Sequence, residues 1–445
     1  MDKTPAALPS FEALPEESIV GNYFVAAYPP FSCWESSQTD LVHEVLNRPE
    51  PSQRPLGLYV HVPFCQKKCD YCYYLSFVGA PSHVVEGYLE SLEMELELYA
   101  QSRGMRGRPL SFVYFGGGTP STLTPSQVRL LAEGLQYGFP WKTAREITFE
   151  CAPRSVRPDF LEALRSIGVN RLSMGVQSFD NTILKVNGRI HYSADVYRAF
   201  DLIQKAKFDW VNLDLMVGLL GETDEIWERT VDETIRLSPD SVAIYQMEIP
   251  FNTQLYRDWK ANSLPAQPAS WEVKRKRLDR GFQKLSQAGY SIVSAYSAVK
   301  DPDRHRFQYQ ESLWRGGDLL GLGVASFSYL DGIHFQNAIT LETYTAQLRH
   351  GHLPLKRAFR LSERDRLVRE LVLQLKWGQV SASEFENKFQ TNILEEFAEP
   401  IHALAAEDLL TASSEGVRLT KNGLLQADRL LPAFYDAPFR NVRYS

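Results

Sequence analysis

Leu58-Tyr59-Val60-His61-Val62-Pro63-Phe64-Cys65-Gln66-Lys67-Lys68-Cys69-Asp70-Tyr71-Cys72 joins two signals in one short stretch. The first five residues alternate, with Leu58, Val60 and Val62 on one side and Tyr59 and His61 on the other, which is the period of a β-strand. Directly after that strand, the spacing C-x3-C-x2-C gathers three thiols. Iron–sulfur clusters are held by thiolates. Three of them hold three corners of a cubane and leave the fourth iron open to a ligand's amine and carboxylate. A zinc site wants a fourth ligand at finger-like spacing, and the next residues here are Tyr73 and Tyr74. Cys65, Cys69 and Cys72 therefore read as the metal ligands of a loop at the end of a strand.

Working outward, short apolar runs recur at Ser111–Phe115, Glu146–Cys151, Arg171–Val176, Val211–Met216, Val242–Met247 and Ser291–Ala295. Segments of helical spacing lie between most of them: Val84–Ala100, Ser126–Leu135, Asp159–Ser166, Asp195–Ala206 and Glu225–Arg236. Strands alternating with helices predict parallel βαβ units, and this many units predict an α/β fold, a partial or complete (β/α) barrel of TIM type. Strand phase adds to this. Thr148 and Glu150, Ser173 and Gln177, and Asn212 and Asp214 each share a face opposite the apolar residues of their strands. A barrel normally fills its lumen with branched apolar side chains. A polar lumen predicts a ligand inside.

Three regions follow. Residues 1–56, rich in Pro, Ser and Glu around Tyr28-Pro29-Pro30, read as an N-terminal arm; residues 57–345 read as the barrel; a break near 345–360 precedes a small, mostly helical or winged-helix domain over 360–445. Gly416–Thr420 in that domain has the pattern of a strand. The chain has 445 residues and a net charge of −6, which argues against a broad nucleic-acid face. No apolar run approaches a membrane span, and the first residues lack a secretory h-region, so the expected location is the cytoplasm. Five cysteines, three of them crowded together, make a poor disulfide framework. Cys151 lies on the apolar phase of its strand and reads as a buried thiol.

The cysteine run resembles the signature of the radical S-adenosylmethionine superfamily. Together with Gly116-Gly117-Gly118-Thr119-Pro120, Gly175-Val176-Gln177-Ser178-Phe179, Leu320-Gly321-Leu322-Gly323-Val324 and Leu419-Thr420-Lys421-Asn422-Gly423, it resembles the oxygen-independent coproporphyrinogen III oxidase-like family. The resemblance implies a 4Fe-4S cluster and one or two molecules of S-adenosylmethionine. It implies that Gly117, Gly118 and Thr119 meet the methionine end of that cofactor, with Glu150 at the ribose. It also implies that Tyr59, Tyr71, Gln177, Arg189 and Asp214 match cofactor-contacting positions. The implied substrate is a tetrapyrrole or another large planar compound, and the implied partner an electron donor such as flavodoxin or ferredoxin. Two positions depart from the relatives. True oxidases carry a further Cys where this chain has Tyr74. The heme chaperones carry His-Asn-x-x-Tyr-Trp where this chain reads Tyr309-Gln310-Glu311-Ser312-Leu313-Trp314. A methylase or cyclopropanase, or a heme-handling protein without turnover, therefore stands beside the oxidase-like reading.

Overall fold

A computed structural model of the chain describes residues 17–440 and residue 442. The first 16 residues of the expected arm lie outside the described residues. The strands, in chain order, are β1 Leu56–Val62, β2 Leu110–Gly117, β3 Glu146–Cys151, β4 Arg171–Gln177, β5 Trp210–Val217, β6 Ser241–Gln246, β7 Ser291–Ile292, β8 Ser297–Val299, β9 Asp318–Leu322, β10 Phe327–Leu330, β11 Ile333–Asn337 and β12 Leu355–Arg360. They form one sheet in the order β12-β11-β10-β9-β1-β2-β3-β4-β5-β6-β8-β7. From β9 through β6 all neighbours are parallel. The two edges do not pair with each other, so the barrel is partial.

Helices α1 Ser82–Gln101, α2 Pro125–Gly138, α3 Pro158–Ser166, α4 Ser193–Ala206, α5 Asp224–Leu237 and α6 Trp271–Gln287 cover the outside. Their starts are written in the sequence. Thr124 and Gln127 form a capping box with Pro125 at the first helical position of α2, and Thr223 caps α5. Apolar strand phases such as Leu58, Val60, Phe149 and Leu213 are fully buried against these helices.

Two expectations change. The run at Ser291–Ala295 yields only β7, and the chain returns at once as β8, antiparallel to β6. The link between β7 and β8 is too short for a parallel crossover, which needs a dozen or more residues. The expected break near 345–360 instead contains the end of a helix, Leu341–Arg349, and β12, which extends the main sheet through its pairing with β11.

Beyond β12, a helix α8 (Glu363–Leu375) starts on a Ser362–Asp365 capping box and leads into a small helical unit. That unit carries a three-stranded antiparallel sheet whose middle strand is Gly416–Leu419. Its apolar core also takes in Val25 and Tyr28 of the arm. The arm is further tied on by bonds that include Gly21 N–H to the Ile249 carbonyl at 3.1 Å and paired backbone bonds between Glu35 and Ala358.

A candidate cluster and nucleotide chamber

The parallel strands end around one cavity of about 1910 Å³. The cluster loop follows β1, the glycine triplet ends β2, and Glu150, Gln177, Asp214 and Tyr245 stand at or near the carboxyl ends of β3, β4, β5 and β6. That is the rim where parallel barrels place their chemistry. Register sets neighbours: Tyr59 lies beside Tyr114, Glu150 beside Ser173, and Gly175 beside Asp214. Of the predicted lumen face, Thr148 alone does not line the cavity; it is fully buried and donates to Glu146 at 2.9 Å.

Cys65, Cys69 and Cys72 all line this cavity and all carry free thiols. Among the described residues, no three His, Cys, Asp or Glu side chains surround a single-ion site. The sulfurs instead form part of a wall. Arg189 donates to Cys69 Sγ at 3.2 Å and to the Gly175 carbonyl at 2.8 Å, and Cys65 Sγ lies 3.4 Å from Thr119 Oγ1. Burial pushes the Cys72 thiol up to about 11, with Cys69 raising it further. Thiolates there need cationic partners. Arg189 is one, and iron would be a stronger one.

The glycines are demanded by close approach. A Cβ on Gly118 would meet the Pro63 and Phe64 backbone at 2.8–2.9 Å, and one on Gly117, whose φ is +115°, would meet the His61 ring at 2.5 Å. Glu150 is held from two sides: the Tyr114 hydroxyl donates to Oε1 at 2.6 Å and Gly117 N–H to Oε2 at 3.3 Å. Burial raises its carboxyl to about 7 against those bonds. Asp214 accepts from Ser173 Oγ at 3.0 Å and from Asn212 Nδ2 at 2.8 Å, and burial raises it to about 6. Gln177 sits at φ +68° in a bulge of β4, with Oε1 buried and unpartnered, as is Arg189 Nε. Tyr59 reaches His61 Nδ1 at 3.1 Å, and the Tyr71 ring packs in the cluster loop close to Cys69 and Arg189.

This geometry fits a cubane with an open iron and a nucleotide. Three sulfurs share one wall, a side-chain-free cradle adjoins them, and Gln177 and Arg189, each with a buried polar atom that has no partner, line the same space. All twelve predicted site residues converge here.

Sequence reading missed several wall residues. Tyr114 shares strand phase with Gly116, and Tyr245 with Ser241, so parity would have found both. Arg171, on the phase of Ser173, lies between Trp210 and Phe307 at 4.6 and 4.1 Å from their ring centres. Tyr309, marked in the sequence only as standing where the heme chaperones carry a His, reaches the wall because it sits on a short helix, α7 (Gln308–Trp314), that packs on Tyr114 and Phe112.

Residues 59–234 match the family model described as the radical SAM superfamily, and residues 361–425 match the HemN C-terminal domain. Over 409 residues the chain is 30% identical to an oxygen-independent coproporphyrinogen III oxidase of Synechocystis, covering 87% of this chain and 86% of the relative. It is 32% identical over 287 residues to the heme chaperone HemW of Haemophilus influenzae, covering 63% and 72%. Among solved structures, the coproporphyrinogen III oxidase HemN of Escherichia coli superposes with a TM-score of 0.81 at 26% identity, covering 92% of this chain and 96% of that one.

Proposed function

The chain belongs to the oxygen-independent coproporphyrinogen III oxidase-like family of radical S-adenosylmethionine enzymes, uses a 4Fe-4S cluster and S-adenosylmethionine, and on that footing we propose that it performs radical chemistry on a tetrapyrrole. The observation that carries the proposal is a single chamber, about 1910 Å³, in which the three sulfurs, the glycine cradle and an aromatic far wall all meet. Ligand pockets commonly span roughly 300–1,000 Å³. The excess suits a nucleotide together with a large substrate.

We assign Cys65, Cys69 and Cys72 as cluster ligands, with Arg189 offsetting their charge. Gly117, Gly118 and Thr119 offer backbone to the methionine end. Glu150, pre-aimed by Tyr114 and Gly117, accepts from ribose hydroxyls, while Gln177, Asp214, Tyr59 and Tyr71 complete the wall. When bound, the cluster and the cofactor supply a 5′-deoxyadenosyl radical, which takes hydrogen from the substrate. A propionate that has lost that hydrogen becomes a vinyl group by releasing carbon dioxide and passing one electron to a one-electron acceptor of the oxidised flavodoxin or ferredoxin class. The arm and the C-terminal unit keep water from the chamber. The electron entering the cluster comes from a small donor such as flavodoxin or ferredoxin. Five free thiols and a reducible cluster suit the cytoplasm.

A methylase is the second reading, favoured by Tyr74 standing where the oxidases carry a further Cys. The heme-chaperone reading loses its expected ligand, since Tyr309 replaces the His and packs among Tyr59, Tyr114 and Phe307. Anaerobic reconstitution, followed by dithionite, S-adenosylmethionine and either coproporphyrinogen III or heme, separates these readings. We expect 5′-deoxyadenosine whose yield rises with the tetrapyrrole. S-adenosylhomocysteine with a methylated product selects the methylase. Neither nucleoside product, with tight heme uptake, overturns the enzyme reading.

A further inference from the structure

Two tyrosine rings stay partly uncovered inside the chamber. Tyr74 is 49% exposed and Tyr245 is 37% exposed, although both line the cavity wall. Each is backed by a second tyrosine. Tyr73 stacks on Tyr74 with ring centres 4.6 Å apart and planes 27° from parallel. Tyr296 stacks on Tyr245 at 6.2 Å and 24°. Both pairs are held in place. The Tyr73 hydroxyl donates to the Tyr74 hydroxyl at 3.4 Å, and the main chain of the first pair is tied by Asn252 donating to the Tyr73 carbonyl at 3.2 Å and Lys68 to the Tyr74 carbonyl at 2.9 Å. The Tyr296 hydroxyl donates to Asp428 at 2.5 Å, and its ring packs on Phe24 with centres 5.4 Å apart.

An aromatic ring gains by burying both faces. Here the ring behind each tyrosine covers one face and the anchors fix its position, so the other face remains presented to the chamber. Such faces bind flat conjugated ligands by offset stacking. A nucleotide's phosphate-free, polar ends need no pair of braced phenols, and the glycine cradle already serves that part of the site.

We propose that Tyr74 backed by Tyr73, and Tyr245 backed by Tyr296, form the aromatic platform that receives the flat pyrrole rings of a tetrapyrrole macrocycle, with Tyr74 the specificity-determining residue; coproporphyrin III serves as the conjugated analogue that reports the contact. The inference rests on the tetrapyrrole reading above and adds which side chains hold the ring. Cluster-loaded protein titrated anaerobically with coproporphyrin III, followed by the Soret band and by quenching of protein fluorescence, tests it. Tyr74→Ala should weaken binding by roughly tenfold and abolish the Soret shift, because an aromatic pair contributes about that much. Tyr74→Phe should keep both, since the ring face rather than the hydroxyl makes the contact. Tyr245→Ala, outside the cluster loop, should repeat the loss; it carries the test if Tyr74→Ala fails to load iron. Wild-type affinity and an unchanged Soret shift in both alanine variants overturn the platform, as does a Tyr74→Phe variant as weak as Tyr74→Ala. Wild-type protein that binds neither coproporphyrin III nor coproporphyrinogen III overturns the tetrapyrrole reading beneath it, a different failure.

Discussion

Cys151 and the three loop cysteines show how environment separates identical side chains. Cys151 is 5% exposed on the apolar phase of β3, and burial holds its thiol protonated. The loop sulfurs share the chamber with Arg189. Alanine at Cys65, Cys69 or Cys72 is therefore expected to leave reconstituted protein without its full iron and without the brown absorbance of a cubane. Cys151→Ala should load iron as wild type does. A full cluster in Cys65→Ala would remove the ligand assignment. Glu95 of α1 makes a different residue-scale case. Fully buried, it accepts from Gly323 N–H at 2.8 Å, the Tyr344 hydroxyl at 2.6 Å and Asn337 Nδ2 at 2.6 Å, fixing the Gly321–Gly323 turn beside the chamber. Burial raises its carboxyl to about 7 from an ordinary 4.5. The folded chain then binds more protons than the unfolded one between those values, so stability falls as pH rises through 4.5 to 7 and levels off above. Glu95→Gln lacks that titration. Its urea-unfolding free energy should fall between pH 4.5 and 7.5 by about 3 kcal/mol less than that of wild type. Parallel profiles would show that Glu95 is not the titrating group.

Strand phase carried most of what could be read in advance, because alternation is a local property. Glu150, Asn212, Asp214, Ser173 and Gln177 were placed on the cavity side from their neighbours alone, and all five line it. What escaped depends on long-range partners. The short helix Asp40–Leu46 in the arm buries Val42, Val45 and Leu46 at helical spacing, but seven residues give too weak a pattern to read. Tyr309 faces the chamber because α7 packs under it, and β12 joins the sheet because β11 offers an edge; neither fact is local. At this scale the β2 turn is the sharpest test. A Cβ on Gly118 collides with the backbone of Pro63 and Phe64, which leads into Cys65. Gly118→Ala should cost about 1–3 kcal/mol of stability, and equilibrium dialysis of the reconstituted protein should show S-adenosylmethionine bound at least tenfold more weakly. Gly87 in the middle of α1 has nothing within 4 Å of its would-be Cβ. Alanine there should stabilise the chain by roughly 0.5–1 kcal/mol, so a Gly87→Ala loss equal to that of Gly118→Ala would show that the cradle is not special.

Across the whole molecule, barrel, arm and C-terminal unit meet at one part-buried carboxylate, Asp428, on a fully buried lysine. Asp428 accepts from Tyr296 of the core at 2.5 Å and from Val25 N–H of the arm at 2.9 Å, and pairs with Lys376 at 3.1 Å. Lys376 is itself 1% exposed, donates to the Val25 carbonyl and lies 4.0 Å from the centre of the Phe24 ring. Burial pulls the lysine down and Asp428 holds it up. Lys376 thus depends on Asp428 to stay charged out of water. Asp428→Ala leaves a buried ammonium unpaired and frees the Val25 N–H, a loss of about 3–5 kcal/mol for breaking one side of a buried pair. Replacing both partners, as Lys376→Met with Asp428→Leu, removes the stranded charge and should recover much of that loss. The Val25 backbone keeps neither partner in the double variant, so the two measurements should diverge. Thermal unfolding should recover in the double variant, while limited proteolysis should cut within residues 17–35 in both. Wild-type resistance of the arm in Asp428→Ala would mean that its other contacts, among them the Gly21 and Glu35 backbone bonds and the burial of Val25 and Tyr28, suffice to hold it against the chamber.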